Sequence, residues 1–299
     1  MPPKIELQKI RDFGEIISDT LLFARQNFKP LITSFFIFCG FFIAGGAIFS
    51  VLQQIKMVNA INGGFSGRSN LFGPTNPFNF LGIEYFLSIL FFAMSYVAMQ
   101  VTVYSFICLY KEKGNIPPTP TEVWGYFKYY YVRIFLGGIV IALLLAVATV
   151  LCLIPGVYLY PIMSLVFPIM IFENTSFGYA FNRSFRLIKE NWWLTFGAIV
   201  VMIIIVYFVS MIVILPASIF NAVSMFTHFG RGGVKMSATA SIITAVLGAL
   251  CQVFYILHSI TVSMCYFNLT ERVDNTGLIA RISQLGDKNA ETDLPGEQY

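Results

Sequence analysis

The chain has 299 residues, of which 57% are apolar and only 11% are charged, and its mean hydropathy is +0.74. A soluble globular domain carries roughly 25% charged residues, so this composition indicates a polytopic membrane protein rather than a soluble or disordered chain. The net charge of +4, and five cysteines that all lie in apolar stretches without a C-x-x-C pair, exclude a nucleic-acid binder and a disulfide-stapled secreted module.

Six apolar stretches predict the membrane segments of an all-α fold. In chain order they are 31–52, 81–110, 134–154, 157–172, 194–220 and 238–267. The fourth extends about 24 Å as a helix, less than a hydrocarbon core of about 30 Å, and two prolines interrupt it. Two arrangements stay open. Either all six segments cross the membrane, with the Pro155–Gly156 turn on the external side, or segments three and four form a re-entrant hairpin.

Lys and Arg residues are unevenly distributed between the two sides of these segments. Residues 1–29, 111–133, 173–193 and the tail from 271 hold fifteen of them, against four in the connections on the other side. The positive-inside rule therefore predicts that both termini are cytoplasmic.

Three of the basic stretches, 12–28, 121–132 and 176–192, have the residue spacing of amphipathic helices. Such helices lie in the plane of the lipid headgroups, with the apolar face towards the hydrocarbon. We therefore predict three cytoplasmic interfacial helices. The polar face of the third carries the candidate ligands for anionic headgroups, Arg183, Arg186 and Lys189.

Residues 13–28 and 177–192 match without gaps at an offset of 164, and Phe-Gly opens both. The match predicts an internal repeat of an interfacial helix followed by a helical hairpin. It divides a single membrane domain, 1–270, into the units 10–110, 121–172 and 175–270. Residues 271–299 are predicted to form a largely flexible cytoplasmic tail. Parallel repeats occur in transporters and in scaffolds, so the repeat does not decide the function.

The sequence carries no catalytic, nucleotide-binding or metal-binding signature, so we expect no enzymatic activity, cofactor or metal. The last segment does carry a polar stripe: Thr244, Gln252, Tyr255, His258, Ser259 and Ser263. The stripe is either a substrate-lined or water-lined face or a seam between helices, and Gly248 within it favours the seam. Whether Gln252, His258 and Ser259 face a cavity separates these two interpretations.

The stretch 154–193 contains Pro-Gly, a later acidic residue and an Arg-Ser pair in a helix. These positions are Pro155, Gly156, Glu173, Arg183 and Ser184. The pattern resembles the membrane domain that accompanies some bacterial glycerophosphodiester phosphodiesterases, and also related stand-alone bacterial membrane proteins. The resemblance implies a multi-pass protein of the bacterial inner membrane. It implies no hydrolase activity, because the catalytic domain of the longer members is a separate soluble domain.

We therefore expect a non-catalytic scaffold or accessory subunit that binds membrane lipids, a membrane or cytoplasmic protein partner, or both, and no nucleic acid. The alternative is a transporter of a small molecule or a lipid. The proline-interrupted fourth segment and the polar stripe favour that alternative.

Overall fold

The computed structural model describes residues 5–64, 82–229 and 237–275, and these residues form helices and connections without a strand. The helices are α1 (Phe13–Gln26), α2 (Phe28–Gly64), α3 (Ile83–Glu112), α4 (Pro120–Leu151), α5 (Leu153–Ser164), α6 (Val166–Phe172), α7 (Phe177–Ile188), α8 (Trp192–Phe229), α9 (Ala238–Leu250) and α10 (Tyr255–Asp274). A short 3-10 helix, Cys251–Phe254, joins α9 to α10. Most of the predicted flexible tail lies outside the described residues.

Six helical stretches are long and apolar enough to cross a membrane. They are Phe28–Asn59, Ile83–Glu112, Pro120–Leu151, Leu153–Phe172, Trp192–Thr227 and Ala238–Asp274. The all-helical class and the number of candidate membrane segments are therefore confirmed. A helix satisfies all of its backbone hydrogen bonds internally, which is why apolar stretches of this length fold as helices in hydrocarbon.

Two of the three predicted amphipathic stretches form separate short helices, α1 and α7. The stretch 121–132 instead forms the first turns of α4, which begins at Pro120. Thr119 and Glu122 cap that helix, with the Glu122 carboxylate accepting the Thr119 backbone N–H at 2.8 Å. Because nothing in 121–133 breaks the helix, it continues directly into the membrane segment.

The fourth segment is longer than predicted, because α5 begins at Leu153 rather than Val157. It bends at Leu165, where α5 ends and α6 begins. Pro168 lies just beyond the bend, and proline has no N–H to donate to the carbonyl four residues earlier. The bend therefore has a local cause in the sequence.

A single extended residue, Cys152, separates α4 from α5. Gly156 lies directly against Thr149 of α4, so that a Cβ atom at position 156 would be 3.1 Å from the Thr149 Cα. The missing side chain of Gly156 thus allows α4 and α5 to pack closely beside their turn.

The C-terminal half of α10 is the centre of the bundle. Every residue from His258 to Glu271 is buried, and α10 packs against α1, α3, α6, α7 and α8. The N-terminal segment is fastened to it, since the Arg11 backbone N–H donates to Asn268 Oδ1 at 2.8 Å. The guanidinium of Arg11 is fully buried and donates to Asp19 and to the carbonyl of Leu7. A cation that the sequence assigns to the membrane surface is therefore part of the core.

We expect Gly156→Ala to lower the free energy of unfolding by about 1–3 kcal/mol, because the added methyl group overpacks the α4–α5 contact. Reversible unfolding in mixed detergent micelles measures this change. Gly178→Ala is the matched control, since a Cβ atom there meets nothing within 4 Å. Adding Thr149→Ala should restore part of the loss. Equal stability of the Gly156 and Gly178 variants would contradict the close contact.

Candidate functional site

The three predicted headgroup ligands on α7 lie in different environments. Arg183 is only 15% exposed at its side chain and donates to Glu173 at 3.3 Å and also to Asp274. It therefore joins α7 to the end of α6 and to the end of α10. Burial lowers the pKa of Arg183, but the hydrogen bond to Asp274 and the Glu173 carboxylate raise it by more, so the pKa lies above its usual value.

Arg186 and Lys189, by contrast, are exposed on α7. Neither forms an ion pair with another residue in the described part of the chain. The opposite face of the helix is buried against the bundle through Ala180, Ser184, Leu187 and Ile188. α7 therefore has one face packed on protein and one face that carries free cations.

The positions that carry the family resemblance have structural contacts. The Glu173 carboxylate accepts from the Tyr266 hydroxyl at 3.1 Å as well as from Arg183. The Ser184 hydroxyl donates to the Phe181 carbonyl in its own helix at 2.7 Å. Pro155 and Gly156 lie in the first turn of α5, where Gly156 meets α4. The contacts of Glu173 and Gly156 join helices, whereas the hydrogen bond of Ser184 stays within α7.

Part of the polar stripe forms a seam between helices. Gln252, in the 3-10 helix, accepts a hydrogen bond from Ser95 of α3 at 2.6 Å. The Tyr255 ring packs edge-on against Tyr96 of α3, with the ring centroids 6.3 Å apart. A 3-10 stretch inside a long helix marks a local departure from helical geometry, and here it coincides with the Gln252 contact.

Other stripe positions make only local contacts. The hydroxyls of Thr244 and Ser263 donate to carbonyls one turn earlier in their own helices. Gly248 does not provide the close approach that we expected of a seam, because a Cβ atom there would meet nothing within 4 Å. A side chain would meet open space there, so no glycine is required at this position.

His258 differs from the rest of the polar stripe because it lies beside a cavity. It is 3% exposed and lines a cavity of about 300 Å³ among α3, α4, α5, α6 and α10. Its Nδ1 has no hydrogen-bond partner, and the same is true of the Oγ atom of the fully buried Ser259 next to it. The last segment thus combines a seam at Gln252 with a cavity wall at His258, where the sequence offered these as alternatives.

Sequence reasoning missed Gln100 of α3, which lines the same cavity and is 6% exposed. Its Oε1 also has no hydrogen-bond partner. An amide in an otherwise apolar segment was the available signal. Glu84, near the start of the same helix, forms an ion pair with Lys56 at 2.6 Å.

Metal ligands do not cluster anywhere in the described ranges, which contain no group of three or more His, Cys, Asp or Glu side chains. Four of the five cysteines are buried, and Cys152 is the exposed one.

We expect Arg183→Gln to lower the free energy of unfolding by about 1.5–3 kcal/mol, because it removes charged hydrogen bonds to two partly buried carboxylates. Arg186→Gln is the control, since it removes a cation from the same helix without an ion pair. Unfolding of both variants in the same detergent measures the difference. Equal stabilities would mean that the Arg183 contacts are not structural.

No protein-family model, curated protein or solved structure matches this chain. The resemblance to the phosphodiesterase-associated membrane domain therefore stays a prediction from the residues quoted for it. The site is described by its geometry alone.

Proposed function

We propose that this protein is a non-catalytic scaffold of the bacterial inner membrane that binds anionic lipid headgroups through α7. The observation that carries the proposal is the two-faced character of α7, whose inner face is buried while Arg186 and Lys189 are exposed and unpaired among the described residues. A helix with this pattern at the end of a membrane bundle suits the headgroup region. The same face of α7 is also where we expect the scaffold to bind a membrane or cytoplasmic protein partner.

The repeat and the topology belong to the same proposal. α1 and α7 start 164 residues apart, and so do the helices that follow them, α2 and α8. This equal spacing supports a repeat of interfacial helix and membrane segment. With the excess of Lys and Arg at the α1 and α7 end, we assign that end and both termini to the cytoplasm.

For the third and fourth segments we favour the re-entrant arrangement. The start of α8 lies at the α7 end, yet Trp192 Nε1 donates to the Tyr158 carbonyl of α5 at 3.1 Å, and the two rings stack. Phe185 of α7 also lines a groove with Leu151 and Pro155 at the α4–α5 turn. Both the α4–α5 turn and the end of α6 therefore lie close to α7. This proximity is what a re-entrant hairpin requires, because its two ends lie on the same side of the membrane.

The residues around that turn are apolar and strongly exposed. Leu151 is 80% exposed, Leu153 68% and Ile154 77%. A turn in water would place this apolar surface against solvent, whereas a turn inside the bilayer places it against lipid. Four crossings, by α2, α3, α8 and the α9–α10 stretch, then keep both termini on one side.

To test lipid binding, the protein is reconstituted with mixed anionic and neutral phospholipids, and its retained lipids are weighed by native mass spectrometry. We expect Arg186→Gln and Lys189→Gln together to weaken anionic lipid binding roughly thirty-fold, at about 1 kcal/mol for each cation. Each substitution is also made alone, and Lys56→Gln, which removes one cation at the other end of the bundle, is the control for these single variants. Unchanged retention of anionic lipid in the double variant would refute the proposal.

To test the re-entrant hairpin, a membrane-impermeant maleimide is applied to intact cells and to inverted vesicles. We expect Cys152 to resist labelling from both sides, because the turn lies in hydrocarbon. The positive control is Asn59→Cys in a Cys152→Ser background, since Asn59 is exposed near the other end of α2. Labelling of Cys152 from the outside would establish six full crossings instead.

Transport of a small molecule or lipid is the second candidate function. The cavity beside His258 favours it, because a scaffold needs no such space in its core. The 3-10 helix in the last segment directly precedes α10, and His258, which lines the cavity, lies in the first turn of α10. Uptake into vesicles of a ligand that binds the cavity would distinguish a transporter from a scaffold.

A further inference from the structure

The cavity among α3, α4, α5, α6 and α10 has a volume of about 300 Å³. Small-molecule sites begin at about this size, and the volume is roughly ten times the share of one water molecule in the liquid. Its lining is mainly aliphatic and aromatic, and the described residues around it include no Asp, Glu, Lys or Arg. Such a lining suits an uncharged and largely apolar molecule.

The cavity has a rim on the outer surface of the bundle. Three of its lining residues, Ala93, Ile139 and Ala142, are exposed. Beside Ile139 and Ala142 on α4, Leu136 is 58% exposed and Leu143 is 63% exposed. Since this surface is apolar and belongs to membrane segments, the rim faces lipid rather than water. A ligand would therefore enter sideways from the hydrocarbon.

Two buried polar atoms in the lining of the cavity lack hydrogen-bond partners. Gln100 from α3 and His258 from α10 are both more than nine-tenths buried, and neither Gln100 Oε1 nor His258 Nδ1 has a hydrogen-bond partner. Buried polar groups are nearly always paired, and an unpaired one is especially costly in hydrocarbon. The amide and the neutral imidazole each offer both a donor and an acceptor. The unpaired Gln100 oxygen can only accept, whereas His258 Nδ1 donates or accepts according to the tautomer, so together they match one hydroxyl group.

We propose that the cavity binds an uncharged amphiphile, with a hydrocarbon body of about ten carbon atoms and one hydroxyl group that hydrogen-bonds to Gln100 and His258. The apolar wall surrounds the hydrocarbon body, and the two orphaned polar atoms take up the head. The site is independent of headgroup binding by α7. If transport is the function of this protein, the site names the class of its substrate.

The probe for this site is a photoreactive decanol that carries a diazirine, added to the full chain in phospholipid nanodiscs. We expect saturable cross-linking to peptides of α3, α4 or α10, with competition by unmodified decanol. The matching photoreactive decanoate should label these peptides less, because the cavity offers no cation to a carboxylate. Tandem mass spectrometry identifies the labelled residues.

The variants Gln100→Leu and His258→Phe keep the bulk of each side chain but remove its hydrogen-bonding atoms. We expect each to weaken decanol binding roughly ten-fold, the usual effect of losing one hydrogen bond to a ligand. Thr244→Val is the control for a polar-to-apolar change, since the Thr244 hydroxyl donates only within α9. The thermal stability of each variant is measured alongside, so that a loss of folding is not mistaken for a loss of binding.

A second pair of variants keeps the test valid if the buried substitutions fail to fold. Ala142→Phe places a large side chain at the exposed rim and should reduce labelling, whereas Leu143→Phe beside it should not. Three results would overturn the proposal. They are the absence of saturable labelling, equal labelling by decanol and decanoate, and labelling that neither Ala142→Phe nor the polar variants reduce. Any of them would mean that the cavity holds only water or non-specific lipid, and none would affect the test of α7.

Discussion

The structure depends on the burial of α10, because this helix contacts five others and connects both ends of the chain. From His258 to Glu271 it is enclosed by protein. It therefore tolerates Ser, Thr and Asn side chains that would be costly against lipid. Thr261 and Thr270 donate to carbonyls of their own helix, so their burial leaves no hydroxyl unpaired. Asn268 instead accepts from Arg11, which fastens the N-terminal segment to the core.

The enclosure of α10 also explains the position of α7. Asp274, the last residue of α10, accepts a hydrogen bond from Arg183. Tyr266, earlier in α10, donates one to Glu173. These contacts hold α7 across the end of the bundle, with its remaining cations turned away from the protein. Lipid binding by Arg186 and Lys189, as proposed above, is thus a consequence of how the helix is anchored.

Particular residues mark how far local sequence reasoning extends. Hydropathy located the membrane segments because it sums over neighbouring residues, and helical spacing located α1 and α7 for the same reason. The same spacing placed Arg183 with Arg186 and Lys189, although only the latter two are exposed. One partner of Arg183, Asp274, is 91 residues away in the chain, and no periodicity within one helix predicts such a contact. The sequence did not identify Gln100 as a candidate site residue, because Gln100 forms a site only together with His258, which lies on another helix.

The sequence by itself determined that this protein is helical, that it is embedded in a membrane, and where its six apolar stretches lie. The physical reason is that hydrocarbon offers a backbone no hydrogen-bond partner, so each apolar stretch must fold on itself into a helix. Only the tertiary structure decided which polar side chains are paired and which line a cavity. Those outcomes depend on contacts between helices distant in the chain, as between Ser95 and Gln252, and on the space left between Gln100 and His258.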